Sequence, residues 1–362
     1  MDDQSLTEFI DSVCGESHLR VEADLGDGFV RLRSSEAERR QAAQDIRSSE
    51  DIVIELLRNA RDAGARHIFL ASQRYGDHRC LTIIDDGAGI PASQHERIFE
   101  PRVTSKLDTA HMDKWGMHGR GMALYSISVN AEEARVCNAA PEKGTSIVVQ
   151  TDTTVLGEKT DQSTFPHFEK GAAGALAMRG PKNIVRTAAE FALEHRGECT
   201  VYEGTATEIA ATLYAYGAAT LSPALRAFQG DPDDIPLAKR LALAVDDGHL
   251  SQLAKTMGLS LSPRSARRIM DGTLRPVPSL MERLEIEALP CAGAGRSKAK
   301  RPVRADGRGL KLADDDLALI QSRVSEAFDD IAERYFLAGV GQPEISVGAD
   351  AVRITIPIDK MH

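Results

Sequence analysis

Apolar positions recur near a 3.6-residue period between residues 52 and 60. Ile52, Leu56, Leu57 and Ala60 share one side, while Glu55, Asn59 and Asp62 fall on a neighbouring polar stripe. The pattern predicts a helix on which Glu55 and Asn59 stand one turn apart. A charged helix-like stretch over 37–47 precedes it, and residues 20–34 alternate about Gly26-Asp27-Gly28 as a hairpin would. Beyond it the pattern predicts strands at 67–73, 79–85, 133–138 and 145–151, with helices at 93–99 and 121–130. This order suits an α/β sandwich, one mixed sheet covered by helices on one face.

The texture changes after about residue 155. Gly157 to Gly180 is rich in Gly, Ala and polar residues and reads as a linker or loosely folded segment. A helix over 184–194, a short strand at 199–202 and a helix over 208–216 follow. Residues 236–290 read as helical, Gly293 to Lys311 as a flexible basic linker, and 314–337 as a helix with Leu317, Ile320, Val324, Phe328 and Ile331 on one stripe. Glu344 to Ile358 alternates as a hairpin about Gly348-Ala349-Asp350. The expected division is therefore 1–155, a connector over 156–235, a helical region over 236–290, a linker over 291–312 and a helix-plus-hairpin module over 313–362.

Composition narrows the class. At 362 residues and 42% hydrophobic, the chain can build two or three cored domains. No run approaches the roughly 18 apolar residues of a membrane span, and Met1-Asp2-Asp3-Gln4 lacks the basic and apolar regions of a signal peptide, so a cytoplasmic protein with no membrane contact is expected. Cysteines 14, 80, 137, 199 and 291 form no C-x-x-C pair, which argues against a disulfide framework and a zinc site. A net charge of −10 confines any nucleic-acid contact to a local basic patch.

The chemistry concentrates in the first 150 residues. A carboxylate and a carboxamide one turn apart can deprotonate a water and ligate Mg2+ through oxygen, although the same spacing suits a plain solvated helix face. Asp85 ends the strand Cys80 to Ile84 and enters the turn Asp86-Gly87-Ala88-Gly89-Ile90. There a carboxylate can accept from an exocyclic amine, and glycines let backbone approach a flat ring. Gly116 to Ile127 is a glycine-rich loop entering an apolar helix, where free N–H groups could meet phosphates. Lys143-Gly144-Thr145 precedes a further strand.

In this order the four elements resemble the N, G1, G2 and G3 boxes of the GHKL ATPase superfamily, which includes gyrase, heat-shock chaperones, histidine kinases and MutL-type repair proteins. The resemblance covers about residues 20–150. It implies the Bergerat ATP-binding fold, with ATP and Mg2+ as ligand and cofactor. It also implies Glu55 as general base, Asn59 as Mg2+ ligand, and Asp85 on the adenine amine, helped by Thr145 through water. Gly87, Gly89 and Ile90 would shape the adenine pocket, and Gly119, Arg120, Gly121 and Met122 would cradle the phosphates. Asp62 would add a nucleotide contact. The residues between Arg102 and Gly116 have little apolar periodicity and read as a mobile lid over the triphosphate, with Lys106 either a phosphate contact or a solvated surface lysine. Glu55 to Ala65 and Arg102 to Lys106 look like the repair proteins, whereas Ile98 to Pro101 and Gly119 to Leu124 look like histidine kinases. A nucleotide-dependent homodimer is expected from the resemblance alone.

A second resemblance lies in 236–290. Ala254 and Gly258 stand four apart, and Arg264, Arg267 and Arg268 follow on a short helix, as in the helix-turn-helix of repressor-type DNA-binding proteins, although the turn is about two residues longer. A helical hairpin with a solvated basic edge accounts for the same residues. Three functions stay open: an ATPase whose lid closure works a conformational switch, a histidine-kinase-like phosphotransferase acting on a separate partner, and a DNA-binding regulator with an ATP-sensing domain.

Overall fold

The computed structural model describes residues 21–105, 111–113, 116–118, 121–170, 176–222, 225 and 232–288. In the C-terminal unit it describes 317, 320–321, 324–325, 337–340, 343–347, 352–356 and 358–360. The chain divides into two compact units, Met1–Pro290 and Cys291–His362.

The first described elements of this unit are a hairpin, β1 (Val21–Gly26) and β2 (Phe29–Leu32), followed by α1 (Glu36–Asp45) and α2 (Ser49–Asp62). Ser35 and Glu38 close a capping box on α1. Ser48 caps α2 by accepting from the Asp51 amide, and Glu50 and Asp51 add negative charge to the first turn. The buried side of α2 is the apolar set read from the sequence, with Ile52, Leu56, Leu57 and Ala60 all inaccessible or nearly so. The helix stops at Gly64, whose φ of 76° allows the Ala65 amide to bond back to the Ala60 carbonyl at 3.1 Å.

Strands β3 (His67–Tyr75) and β4 (His78–Asp85) follow, then β5 (Val103–Thr104), which extends the β1–β2 hairpin into a three-stranded sheet. The single helix expected over 93–99 is instead two 3-10 turns, Ala92–Gln94 and Arg97–Phe99. Pro91 leads into the first, and Pro101 holds Glu100 in an extended conformation, so only short i→i+3 bonds close. A small antiparallel pair, β6 (His111–Asp113) with β7 (Gly116–His118), precedes α3 (Ala123–Asn130), β8 (Glu133–Ala140) and β9 (Gly144–Asp152).

The expected linker over 157–180 is largely ordered by polar bonds rather than by an apolar period. Asp161 accepts from Ser163 and Thr164. Glu50 accepts from the Lys159 amide and from Gln162 at 3.0 and 2.7 Å, and Arg79 forks onto Glu158 at 2.7 and 2.8 Å. Strands β10 (His167–Lys170) and β11 (Leu176–Arg179) then pair. After α4 (Ile184–Glu194), β12 (Thr200–Gly204) adds itself parallel to β3, and the main sheet runs β12-β3-β4-β9-β8.

The two faces of this sheet are separately covered. Ile68, Leu70, Leu81, Ile83, Ile147, Val149 and Val201 point to α2, α3 and α4; α2 and α3 belong to the α/β layer expected for the first 155 residues, and α4 and β12 add to it from beyond. Phe69, Ala71 and Ile84 point the other way. They are covered by α5 (Ala206–Thr220), the 3-10 segment Leu237–Leu243, α6 (Asp247–Thr256) and α7 (Pro263–Met270), while Leu280 at the start of α8 (Leu280–Ala288) returns to the first face. The stretches expected as a connector and a separate helical region are thus built into one compact unit, because strand alternation leaves both sheet faces apolar and both need covering.

Helices α6 and α7 do form a pair, but Gly258 between them serves the sheet. A Cβ there would lie 2.3 Å from Val148 Cγ2 and 2.8 Å from Cys137 Sγ. Thr82 donates to the Gly258 carbonyl at 3.1 Å and Ser146 to the Met257 carbonyl at 2.8 Å. Arg264, Arg267 and Arg268 are exposed on α7, with Arg267 paired to Asp247 at 2.9 Å.

In the second unit, β13 (Leu337–Val340) pairs with β16 (Ile358–Lys360), and β14 (Glu344–Val347) with β15 (Val352–Thr355), the last being the expected hairpin. Residues 317, 320–321 and 324–325 are helical as expected. The basic linker and the rest of that helix lie outside the described residues. Among the described residues no helix is long and apolar enough to cross a membrane.

Candidate nucleotide-binding site

One cavity of about 210 Å³ opens where α2, the end of β4, the start of β9, β5 and the start of α3 converge. Eight of the expected site residues line it: Glu55, Asn59 and Asp62 from α2, Asp85, Gly89 and Ile90 from the β4 turn, Gly121 ahead of α3, and Thr145 on β9. Their convergence has a simple origin. Glu55, Asn59 and Asp62 lie within two turns of one helix, and Asp85 and Thr145 are directly paired across β4 and β9. Phe29, Leu56, Ile98, Val103, Leu124 and Ile147 supply apolar wall, a surface suited to a flat ring.

Gly87 and Met122 do not line the cavity but adjoin residues that do, Ala88 for the first and both Gly121 and Ala123 for the second. The Gly87 amide donates to Asp85 Oδ1 at 2.8 Å, which fixes the carboxylate. Met122 precedes α3, and its carbonyl accepts from the amide and hydroxyl of Ser126, both at 2.8 Å. Met122 at the start of α3 makes no side-chain cap among the described residues, and Ala123 and Leu124 of the first turn line the cavity. Lys106, Gly119 and Arg120 lie outside the described residues.

Asp85 is 4% exposed, and its carboxyl is pushed up to about 7. Burial is the main cause, countered by the Gly87 amide, raised further by the neighbouring Asp86 charge and lowered again by the Thr145 amide. Burial also acts upward on Asp86. There the bonds from the His67 ring (2.7 Å) and from the His67 and Arg66 amides (2.8 and 2.7 Å) prevail, and its carboxyl lies below the usual range. The two adjacent aspartates are thereby separated, one held as an anion by the chain and one turned to the cavity.

Two glycines are required by backbone packing. A Cβ on Gly89 (φ 73°) would lie 1.9 Å from the Ala140 carbonyl oxygen, and one on Gly144 (φ 87°) 2.1 Å from that of Asp85. The atoms that exclude a side chain at Gly89 belong to the β8–β9 turn, while Gly89 itself lines the cavity. Gly121 (φ 67°) likewise rests on Arg102 and Val103.

Sequence reasoning missed Arg58. Its side chain, only 3% exposed, reaches Glu55 at 2.5 Å and lines the cavity. Its position one residue before Asn59, within the polar stripe's span, was the available signal. Arg61 turns elsewhere, to Asp62 at 2.7 Å and to His195 at 3.0 Å.

The donor set fits the expected ligands. Asn59 presents a carboxamide at the cavity, and its Nδ2 is buried with no hydrogen-bond partner among the described residues. Its oxygen is the hard donor that Mg2+ prefers. Among the described residues no cysteine lines the cavity, and burial pushes the Cys137 and Cys199 thiols up to about 11.

Residues 44–155 match the family described as histidine kinase-, DNA gyrase B-, and HSP90-like ATPase. With the mixed sheet and the α2–β4–β9 cavity, this defines a GHKL-type ATP-binding domain. The chain is also similar to DNA mismatch repair protein MutL of Clostridium perfringens (strain 13 / Type A), 35% identical over 99 residues that cover 27% of this chain and 14% of the relative. MutL of Phocaeicola vulgatus is 31% identical over 153 residues, 41% of this chain and 23% of the relative. MutL of Staphylococcus aureus (strain N315) is 31% identical over 144 residues, 33% and 21%. The matched stretch spans less than a quarter of the length of each of these relatives.

Proposed function

We propose that the protein is a slow, Mg2+-dependent ATPase in which nucleotide-driven lid closure works a conformational switch. The observation that carries this reading is the opening of Glu55, Asn59, Asp85 and Thr145 onto one cavity. In this reading Asp85 accepts from the adenine amine and the apolar wall takes the ring. The first amides of α3 face the phosphates, an arrangement favoured by the helix dipole. Asn59 is the residue to hold Mg2+, which when bound offsets phosphate charge. Glu55 takes a proton from a water whose oxygen forms a bond to the γ-phosphorus as the bond to the bridging oxygen breaks. ADP and phosphate are the products.

The test follows the γ-phosphate. The full chain is incubated with Mg2+ and γ-labelled ATP; slow release of free phosphate is expected, abolished in Glu55→Gln with nucleotide binding retained. Label kept on protein would replace the hydrolase with a phosphotransferase. Normal hydrolysis by Glu55→Gln would remove Glu55 as the base.

A second reading, in which the ATP domain serves a DNA-binding regulator, is favoured by one feature. Arg264, Arg267 and Arg268 are all exposed on α7 while Ala266 and Ile269 of the same helix are buried. The basic edge faces away from the sheet that the helix covers.

A further inference from the structure

Among the described residues, four ionisable groups line the nucleotide cavity: Glu55, Asp62, Asp85 and Arg58. Three are carboxylic acids and one is a cation. Asp62 is engaged by Arg61, and Asp85 by the Gly87 amide. The guanidinium of Arg58 goes to Glu55, with Nη1 2.5 Å from Oε1, and it does so from a side chain 3% exposed against 18% for Glu55.

Electrostatics gives this pair a task. A largely buried carboxylate is penalised for its charge, and more so beside other carboxylates and an arriving triphosphate; every such influence favours the protonated acid. A protonated Glu55 could not accept a proton from water. A guanidinium in contact favours the ionised form, and its planar fork fixes the rotation of the carboxylate where an ammonium would act as a point charge. The spacing i,i+3 on α2 makes the contact a property of that helix alone.

We infer that Arg58 is the counter-ion and positioning residue of Glu55, holding it ionised and oriented in the nucleotide site. The inference rests on the reading of Glu55 as the base, and its test has a readout that does not require turnover. The full chain is labelled with 13C at glutamate side-chain carboxyls, the Glu55 signal is assigned by its loss in Glu55→Gln, and it is titrated in wild type, Arg58→Gln and Arg58→Lys. Wild-type Glu55 is expected to titrate at or below the ordinary glutamate range. Arg58→Gln should raise the midpoint by about one pH unit or more, and Arg58→Lys should restore most of the difference. An unchanged midpoint in Arg58→Gln overturns the inference. If Arg58→Gln does not fold, the wild-type curve decides, since a midpoint above the ordinary range overturns it equally.

Phosphate release is followed in the same proteins. A merely structural role for Arg58 would lower turnover by one factor at every pH. The inferred role moves its acidic limb upward, so that the loss, about tenfold near the limb, is recovered as pH rises. A wild type that releases no phosphate while its Glu55 signal responds to Arg58 overturns the hydrolase reading and supports the pair. Release with an unresponsive Glu55 overturns the pair and leaves the hydrolase.

Discussion

The α-carbon of Gly144 sits so close to the backbone of Asp85 that a Cβ there would lie 2.1 Å from the Asp85 carbonyl oxygen. The turn that carries Gly144 also supports the glycine loop after Asp85, since the Glu142 amide bonds to Ala88 O at 2.7 Å. The same turn reaches the covering layer of the opposite face, with the Leu237 amide on Lys143 O at 2.7 Å. Gly144→Ala must displace backbone at a φ of 87° and is expected to cost at least about 2 kcal/mol. Thermal unfolding reads that loss, and calorimetry should show weaker ATP binding from the displaced Asp85. Wild-type stability in Gly144→Ala would contradict the packing described.

Asp85 gives the stability a pH dependence of known sign. Its carboxyl, at about 7 in the fold against 3.8 for the free group, keeps a proton in the folded chain that the unfolded chain has released. Between those values the folded state binds more protons, so this group's contribution falls as pH rises from about 4 through 7, by up to about 1.4 kcal/mol per unit. Asp85→Asn removes the ionisation. Denaturation curves of the nucleotide-free protein at pH 5 and pH 8 should differ less for Asp85→Asn than for wild type; an equal difference would assign the pH dependence elsewhere.

A substitution at Asn59 tests the proposed metal role apart from nucleotide binding. Its Nδ2 is buried with no partner among the described residues, so replacing the amide removes a cavity donor set without breaking a hydrogen bond of the fold. Asn59→Ala is expected to retain thermal stability to within about 1 kcal/mol. It should lose most of the Mg2+ enhancement of ATP binding, measured by titration with and without the ion. Unchanged Mg2+ dependence would free Asn59 of the metal role.

What the sequence made legible is local. The stripe of Ile52, Leu56, Leu57 and Ala60 reports a helix because its period is internal to fourteen residues, and the strand limits at 67, 85 and 145 shift by one or two residues at most. The reach of β12 to β3 depends on pairing Thr200 with His67, more than 130 positions earlier, and no local period announces it. The order in 157–180 comes from Asp161, Glu50 and Glu158 accepting hydrogen bonds, which composition reads as polar linker. Arg58 is not legible from sequence, because a charged residue within the polar stripe's span reads as surface, whereas its side chain is 3% exposed.

Gly258 shows the same limit at a single residue. Its spacing from Ala254 resembles a helix crossing, yet the atoms that exclude a side chain are Val148 Cγ2 and Cys137 Sγ on the sheet. Gly258→Ala, at a φ of 75°, should therefore lower the melting temperature of the whole first unit rather than loosen α7 alone. Amide exchange separates the two: faster exchange confined to α7 would restore the helix-crossing account.

The basic edge of α7 remains the direct test of the DNA reading. Arg264 and Arg268 are exposed, while Arg267 shares its charge with Asp247 at 2.9 Å, so Arg268→Ala should weaken duplex binding more than Arg267→Ala. With a net charge of −10, the chain can bind a polyanion only where such a patch outweighs the rest, and the affinity must fall steeply with salt. For every phosphate that a variant no longer neutralises, the slope of log affinity against log salt should become shallower by about 0.9. The measurement is fluorescence anisotropy of a labelled duplex with the full chain from low to physiological salt. Binding that survives Arg268→Ala with an unchanged slope would place the DNA on another surface, and no binding at low salt would leave α7 as a cover for the sheet.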